Sequence, residues 1–149
     1  MLPNKKLMNM NTKNKNILVT GAGGSIGSEL CYQISKLKPK NLVMLDNNEY
    51  SLYAIENKIR ENITLDDINI YPILGNICDN DKIKSIIKKF RINSIYHAAA
   101  YKHVPLVEKN IIEAFKNNVK GTFSCAKAAR DLKIDNFILI STDKAVRPT

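Results

Sequence analysis

The stretch Thr20-Gly-Ala-Gly-Gly-Ser-Ile-Gly27 spaces Gly21, Gly24 and Gly27 three residues apart. A chain that turns sharply from a strand into a helix calls for glycine at the first of these positions. A side chain at Gly24 would hold the backbone away from a pyrophosphate, and a bare Gly27 lets the helix pack close to the sheet. The unpaired N–H groups at the start of such a helix, aligned with its dipole, meet phosphate charge. A glycine triplet alone also reads as a flexible turn. Here an apolar run precedes it, an amphipathic helix follows, and Asp46 lies close to the roughly 20-residue offset expected of a ribose-binding acid. A carboxylate at Asp46 accepts from a 2′-hydroxyl and repels a 2′-phosphate, which favours NAD and leaves NADP as the alternative. Capping of the next helix is the competing use for Asp46. Further along, Ser141-Thr-Asp-Lys144 offers a hydroxyl, a carboxyl and an amine in sequence. By spacing alone it is equally a polar turn after a strand. His97 ends a buried strand and reads as a satisfied structural histidine, and His103 is the weaker candidate for touching substrate.

The elements that must position these residues follow from periodicity. Apolar runs at 16–20, 41–45, 68–74, 94–98 and 136–140 read as strands buried on both faces. Between them, Ile26, Leu30, Ile34 and Leu37 recur at helical spacing until Pro39. Leu52, Ile55 and Ile59 mark a second helix, and Ile83, Ile86, Ile87 and Phe90 a third. A long helical stretch from about Ile111 to Leu132 is interrupted at Asn118-Val-Lys-Gly121. Strict βα alternation with right-handed crossovers predicts an α/β fold, a doubly wound parallel sheet of the Rossmann type, in strand order 3-2-1-4-5. Ligands of such sheets sit beyond the carboxyl ends of the strands. That rule selects Gly21 to Gly27, Asp46, Gly75 to Ile77, Ala98 to Lys102 and Ser141 to Lys144.

At these residues the sequence resembles a known family. The glycine spacing is that of extended short-chain dehydrogenase/reductase proteins. The strings His97-Ala-Ala-Ala-Tyr-Lys-His-Val-Pro105, Asn118-Val-Lys-Gly-Thr122 and Ser141-Thr-Asp-Lys-Ala-Val146 are more specific. Together they are similar to the CapD-like polysaccharide-biosynthesis family, UDP-N-acetylglucosamine 4,6-dehydratases that supply sugars for capsules, O-antigens and protein glycosylation. The resemblance runs from about Asn16 to Thr149. It implies that Gly21, Gly24, Ser25, Ile26 and Gly27 hold a pyrophosphate, and that Asp46 binds the adenosine ribose. It implies further that Asn76 and Ile77 flank the adenine, that Ala98, Ala99 and Ala100 line the cofactor cleft, and that Lys102 reaches the cofactor or sugar. Asn118 would tie neighbouring strand ends together. Thr142, Asp143 and Lys144 would be catalytic, in a lyase reaction that moves hydride from sugar C4 to C6 with loss of water. The cofactor implied is NAD, with NADP possible, and the partner a UDP-sugar. The sequence has Asn76 where the family usually has Asp. The family continues with a Tyr or Met followed four residues later by Lys, and then a sugar-binding domain. The 149 residues are therefore expected to be an N-terminal portion, inactive alone, of a protein that is a homo-oligomer at full length. Missing strands would leave an open sheet edge and uncovered apolar surface.

Bulk properties narrow the alternatives. A net charge of +9 could signal nucleic acid, but no aromatic residues interleave with the lysines as single-strand binding requires. Scattered lysines solvating helix faces, such as Lys82, Lys84, Lys88 and Lys89, are the simpler reading, and no nucleic-acid partner is expected. Cys31, Cys78 and Cys125 form no CxxC pair and are expected to be small buried residues in a reducing compartment, without metal. The opening is Asn/Lys-rich and lacks an apolar h-region; residues 1–15 read as a basic tail ahead of a domain at 16–149. No apolar run approaches the roughly 20 residues of a membrane helix, and the expected location is cytoplasmic.

Overall fold

The computed structural model describes residues 11–63 and 68–141. Its sheet has five parallel strands, β1 (Asn16–Thr20), β2 (Asn41–Asp46), β3 (Asn69–Leu74), β4 (Ser94–His97) and β5 (Asn136–Leu139), in the order β3-β2-β1-β4-β5. This is the doubly wound order expected from the sequence. The helices are α1 (Ser25–Lys36), α2 (Glu49–Asn62), α3 (Asn80–Phe90), α4 (Val104–Lys109), α5 (Ile111–Ala114) and α6 (Thr122–Asp131), with a π-helical segment, Phe115–Gly121, joining α5 to α6.

Strand alternation divides the core between the two faces. Ile17, Val19, Leu42 and Met44 pack with Cys31 and Ile34 of α1 and Leu52, Ile55 and Ile59 of α2. Leu18, Val43, Leu45 and Ile95 point the other way, onto Ile83, Ile86 and Ile87 of α3 and Cys125, Ala128 and Ala129 of α6. Both faces of β1 and β2 are therefore covered, which is why these strands are apolar at every inner position. The edge strands differ. In β3 only Ile70 is buried and Ile73 half-buried, and Pro72, which has no N–H to give, sits at the sheet edge where none is demanded. At the other edge Leu139 is exposed, as are Ile112, Phe115, Val119 and Phe123 on the α5–π–α6 rod. Among the described residues these exposed side chains match the bare apolar surface expected above.

Some local readings change. The helix α4, not foreseen, precedes the long helical stretch, which the π segment breaks where the sequence showed its interruption at Asn118–Gly121. A π turn adds a residue per turn. It keeps Ala114, Asn117, Gly121 and Cys125 facing inward while Phe115, Val119 and Phe123 stay outside. Residues 12–15, assigned to the basic tail, form a turn against the sheet: Thr12 is buried, Lys15 N–H donates to Thr12 O, and Asn14 N–H donates to Lys38 O. A short polar segment can fold in this way because its backbone groups find partners in the next turn.

Cys31 and Cys125 are buried as expected, and burial pushes both thiols up. Cys78 is exposed instead: it lies in the loop after β3, where its Sγ lies 3.3 Å from Lys116 O. Burial of part of its surface, then the Glu113 carboxylate, raises its thiol too. A thiol reagent applied to native protein at pH 8 is expected to modify Cys78 alone, slowly for a free thiol. Modification of Cys31 or Cys125 without denaturant, traced by peptide mass, would contradict this placement.

Candidate functional site

The carboxyl ends of β1, β2 and β4 meet at a cleft of about 200 Å3 lined by Gly21, Gly23, Gly24, Asp46, Asn48, Ser51, Gly75, Ile77 and Ala98 to Tyr101, among others. Its floor is the turn after β1. Gly21 has φ +67°, a left-handed conformation, and a Cβ there would lie 2.7 Å from the backbone of Ala99. At Gly27 a Cβ would lie 1.8 Å from the Gly21 carbonyl oxygen, so the first turn of α1 rests directly on the loop. Gly24 is different. A Cβ there would meet only Gly21 O, at 3.2 Å, and the position opens to the cleft.

Backbone bonds fix the turn: Gly24 N–H donates to Gly21 O (3.1 Å) and Ser28 N–H to Gly24 O (2.8 Å). Among the described residues none accepts from the N–H groups of Ser25, Ile26 or Gly27. No side chain caps α1. Nor does its first turn hold an acid. The Ile26 side chain points outward, 54% exposed, so only its backbone can serve the site.

Asp46 uses both carboxylate oxygens: Oδ2 accepts from Gly23 N–H (2.8 Å) and Oδ1 from Asn48 N–H (2.9 Å). The cap of α2 is Asn48, whose side chain accepts from Ser51 N–H. Asp46 therefore is not that helix's cap; it ties the β2 end to the glycine turn and keeps further acceptor capacity towards the cleft. Ala98, Ala99 and Ala100 form the opposite wall. Asn76 does not line this cleft. Its side-chain oxygen accepts from Cys78 N–H (2.8 Å), and Gly75 and Ile77 stand there instead.

A second cavity, about 450 Å3, shares Gly24, Ala100 and Tyr101 with the first and continues along Ser25, Lys102, His103, Leu106 and Glu113. Lys102 Nζ donates to Ser25 Oγ (2.9 Å), bridging the two sides. Asn118, inside the π segment, accepts from Tyr101 N–H (2.8 Å) and donates to Tyr101 O (2.9 Å), replacing a strand partner just past β4. Thr142, Asp143 and Lys144 lie outside the described residues; β5 delivers Ser141 to the same end of the sheet.

Sequence reasoning held Gly23 within the selected span Gly21 to Gly27 without giving it a role, and missed Asn48 and Ser51. Nothing in spacing announced the last two, which depend on where α2 begins.

The buried His97 has both ring nitrogens engaged, Nδ1 with Thr20 Oγ1 (2.7 Å) and Nε2 with Thr122 Oγ1 (2.9 Å), joining β1, β4 and α6. Burial pushes its pKa down to about 4.

The dinucleotide fits these residues on the structure's own terms: an open position at Gly24, unpaired helix-start amides, and a carboxylate at the adjacent strand end. Comparison with known proteins bears on which chemistry this serves. A family model described as "Polysaccharide biosynthesis protein" matches residues 17–149. The capsular polysaccharide biosynthesis protein CapD of Staphylococcus aureus is 41% identical over 96% of this chain and 24% of its own length. The probable polysaccharide biosynthesis protein EpsC of Bacillus subtilis is 45% identical over 91% of this chain and 23% of its own. A UDP-N-acetylglucosamine 4,6-dehydratase (inverting) of Campylobacter jejuni is 27% identical over 90% of this chain and 38% of its own. The solved structure of Pen from Bacillus thuringiensis superposes with a TM-score of 0.80 at 29% identity, covering 92% of this chain and 40% of that one. The chain thus spans about a quarter of the length of the first two relatives.

Two outcomes test the geometry. Gly24→Ala is expected to leave the fold intact while weakening binding of a dinucleotide at least about tenfold. Gly27→Ala should lower the unfolding midpoint itself, since an atom at 1.8 Å from Gly21 O forces the helix off the turn. Equal thermal midpoints for the two variants would contradict this division. His97 supplies the second. Its folded pKa of about 4 lies below the ordinary 6.5, so its contribution is intact above pH 6.5 and is lost as pH falls towards 4. The loss amounts to on the order of 3 kcal/mol. Urea titrations from pH 7.5 to 4.5 should show that slope in the native protein and a shallower one in His97→Gln.

Proposed function

The chain belongs to the polysaccharide biosynthesis protein family, and from that premise we propose that it is the nucleotide-binding part of a nucleotide-sugar 4,6-dehydratase acting on UDP-N-acetylglucosamine. One observation carries the reading: the family match extends through Ser141–Lys144 while the pyrophosphate cradle at Gly21–Gly27 stands open and lined by unpaired amides. Gly21, Gly24, Ser25, Ile26 and Gly27 would hold the diphosphate through backbone groups. Asp46 would receive the ribose 2′-hydroxyl, its charge disfavouring a 2′-phosphate, so NAD is preferred to NADP. When bound, NAD supplies reversible uptake of hydride, from C4 of the sugar and back to C6.

The chain's own residues do the rest. Lys144 would remove the C5 proton, made acidic by the adjacent C4 ketone, and return it to C5 when hydride reaches C6; Asp143 would give a proton to the departing C6 hydroxyl, which leaves as water, and regain one from the proton released at O4. Thr142 hydrogen-bonds the oxygen on C4. These steps need a neutral lysine beside a protonated aspartic acid. Direct pairing favours the charged forms, whereas desolvation by bound sugar favours the neutral ones. Because the two titrate together, the pair's total proton count is what matters. Lys102, already bridged to Ser25 across the second cavity, is placed to meet the cofactor or sugar. The whole protein is proposed to be a cytoplasmic homo-oligomer.

The 149 residues alone are expected to bind NAD without turnover, since they span about a quarter of the length of the relatives CapD and EpsC. Joined to the segment that follows in its relatives and given UDP-N-acetylglucosamine, the chain is expected to yield a 4-keto-6-deoxy sugar. A C4-epimeric product would replace this reading with that of an epimerase.

A further inference from the structure

Lys82 was read from the sequence as a lysine that solvates a helix face. In the structure its side chain is engaged. It is the third residue of α3, where a cation meets the unfavourable end of the helix dipole. Its Nζ donates at 2.6 Å to Leu74 O, the last carbonyl of β3. A helical side chain leans towards the N-terminus of its own helix, and here that direction leads back over the loop from β3 to α3. The Asp79 cap, accepting from Lys82 N–H at 2.9 Å, fixes the backbone from which the side chain starts.

The stem lies across Gly75. A Cβ on Gly75 would stand 2.8 Å from Lys82 Cε, 2.9 Å from Cδ and 3.0 Å from Nζ, and these are the three nearest atoms it would meet. Gly75 does not share the left-handed φ of Gly21, so its missing side chain makes room for the lysine stem and answers no need of the backbone.

Gly75 joins this contact to the cleft. Its N–H donates to Asp46 O at 2.8 Å, and it lines the cleft beside Ile77. The Asp46 carboxylate in turn accepts from Gly23 N–H. On its far side the loop leans on the π segment: a Cβ at Gly121 would lie 2.6 Å from Ile77 Cδ1, and Cys78 Sγ lies 3.3 Å from Lys116 O. On its near side β3 is the edge strand of the described sheet, so no further strand there steadies the end that Lys82 grips. Lys82 does not line the cleft itself.

We propose that Lys82 is a positioning residue for the adenosine end of the cleft. By gripping Leu74 O and lying over Gly75 it holds the end of β3, and through it Asp46 and Ile77, in the arrangement that receives a nucleoside. This rests on the dinucleotide reading of the cleft.

Titration of NAD into the 149-residue chain, beside amide exchange across residues 73–80, tests it. Lys82→Ala should weaken NAD about fivefold, the worth of one net hydrogen bond, and speed exchange at Gly75. Lys82→Arg, which keeps a donor, should recover most of that loss. Lys84→Ala removes an equal charge from the same helix and should bind within about twofold of the parent. Gly75→Ala should repeat the Lys82→Ala result with the charge retained, because its methyl displaces a flexible stem from Leu74 O. The double variant should be no weaker than either single one, whereas independent effects would multiply to about 25-fold. Such multiplication would overturn the proposal, as would unchanged affinity in Lys82→Ala or equal loss in Lys84→Ala. If circular dichroism shows Lys82→Ala unfolded, Gly75→Ala and Lys82→Arg carry the test. A folded parent that binds neither NAD nor NADP would remove the dinucleotide reading alone. Exchange then decides the positioning role, and an unchanged rate at Gly75 in Lys82→Ala would overturn it.

Discussion

The first turn of α1 rests on the Gly21 carbonyl with no room for a methyl group at Gly27. That contact holds the start of the helix at the end of β1, with its N–H groups facing outward over Gly24. The Gly23 N–H then points to Asp46 and draws the end of β2 to the same place. Two strand ends and one helix start are thereby locked around a small volume in which backbone amides and a carboxylate face each other. Water or an anion must satisfy those amides, and a diphosphate does so with two phosphates at once.

The rest of the fold serves this arrangement. Helices on both faces allow β1 and β2 to be apolar from Ile17 to Val19 and from Leu42 to Leu45, and the buried polar side chain at the end of β1, Thr20, has a partner in His97. His97 crosslinks Thr20 on β1 to Thr122 on α6 through both ring nitrogens. Asn118 performs a similar task one residue cluster further out, using the π segment to bring an amide against the backbone of Tyr101. The wall Ala98–Ala100 is thus held in place by polar side chains that the sheet itself no longer reaches.

The strand order, the glycine turn and the position of Asp46 were legible in the sequence because each follows from a short-range rule: burial on two faces, a left-handed turn, an offset along the chain. The helix α4 was not, since Val104-Pro-Leu-Val-Glu-Lys109 shows neither a capping side chain nor a buried face. The buried place of Thr12 depends on a contact with the turn before β2 that no local pattern records. Asn76 bonds back to its own loop, accepting from the N–H two residues on, a local preference of asparagine that competes with any ligand. Gly23 was hidden by its neighbour: counting every third glycine passes over the one whose N–H meets Asp46.

The central claim is that the amides at the start of α1, with Asp46, form a dinucleotide site. Isothermal titration of NAD into the folded chain is its most direct test. Saturable binding at one site per chain, weaker when NADP is used, is the expected result; absence of measurable heat or competition for both nucleotides, in protein shown to be folded, would contradict the account.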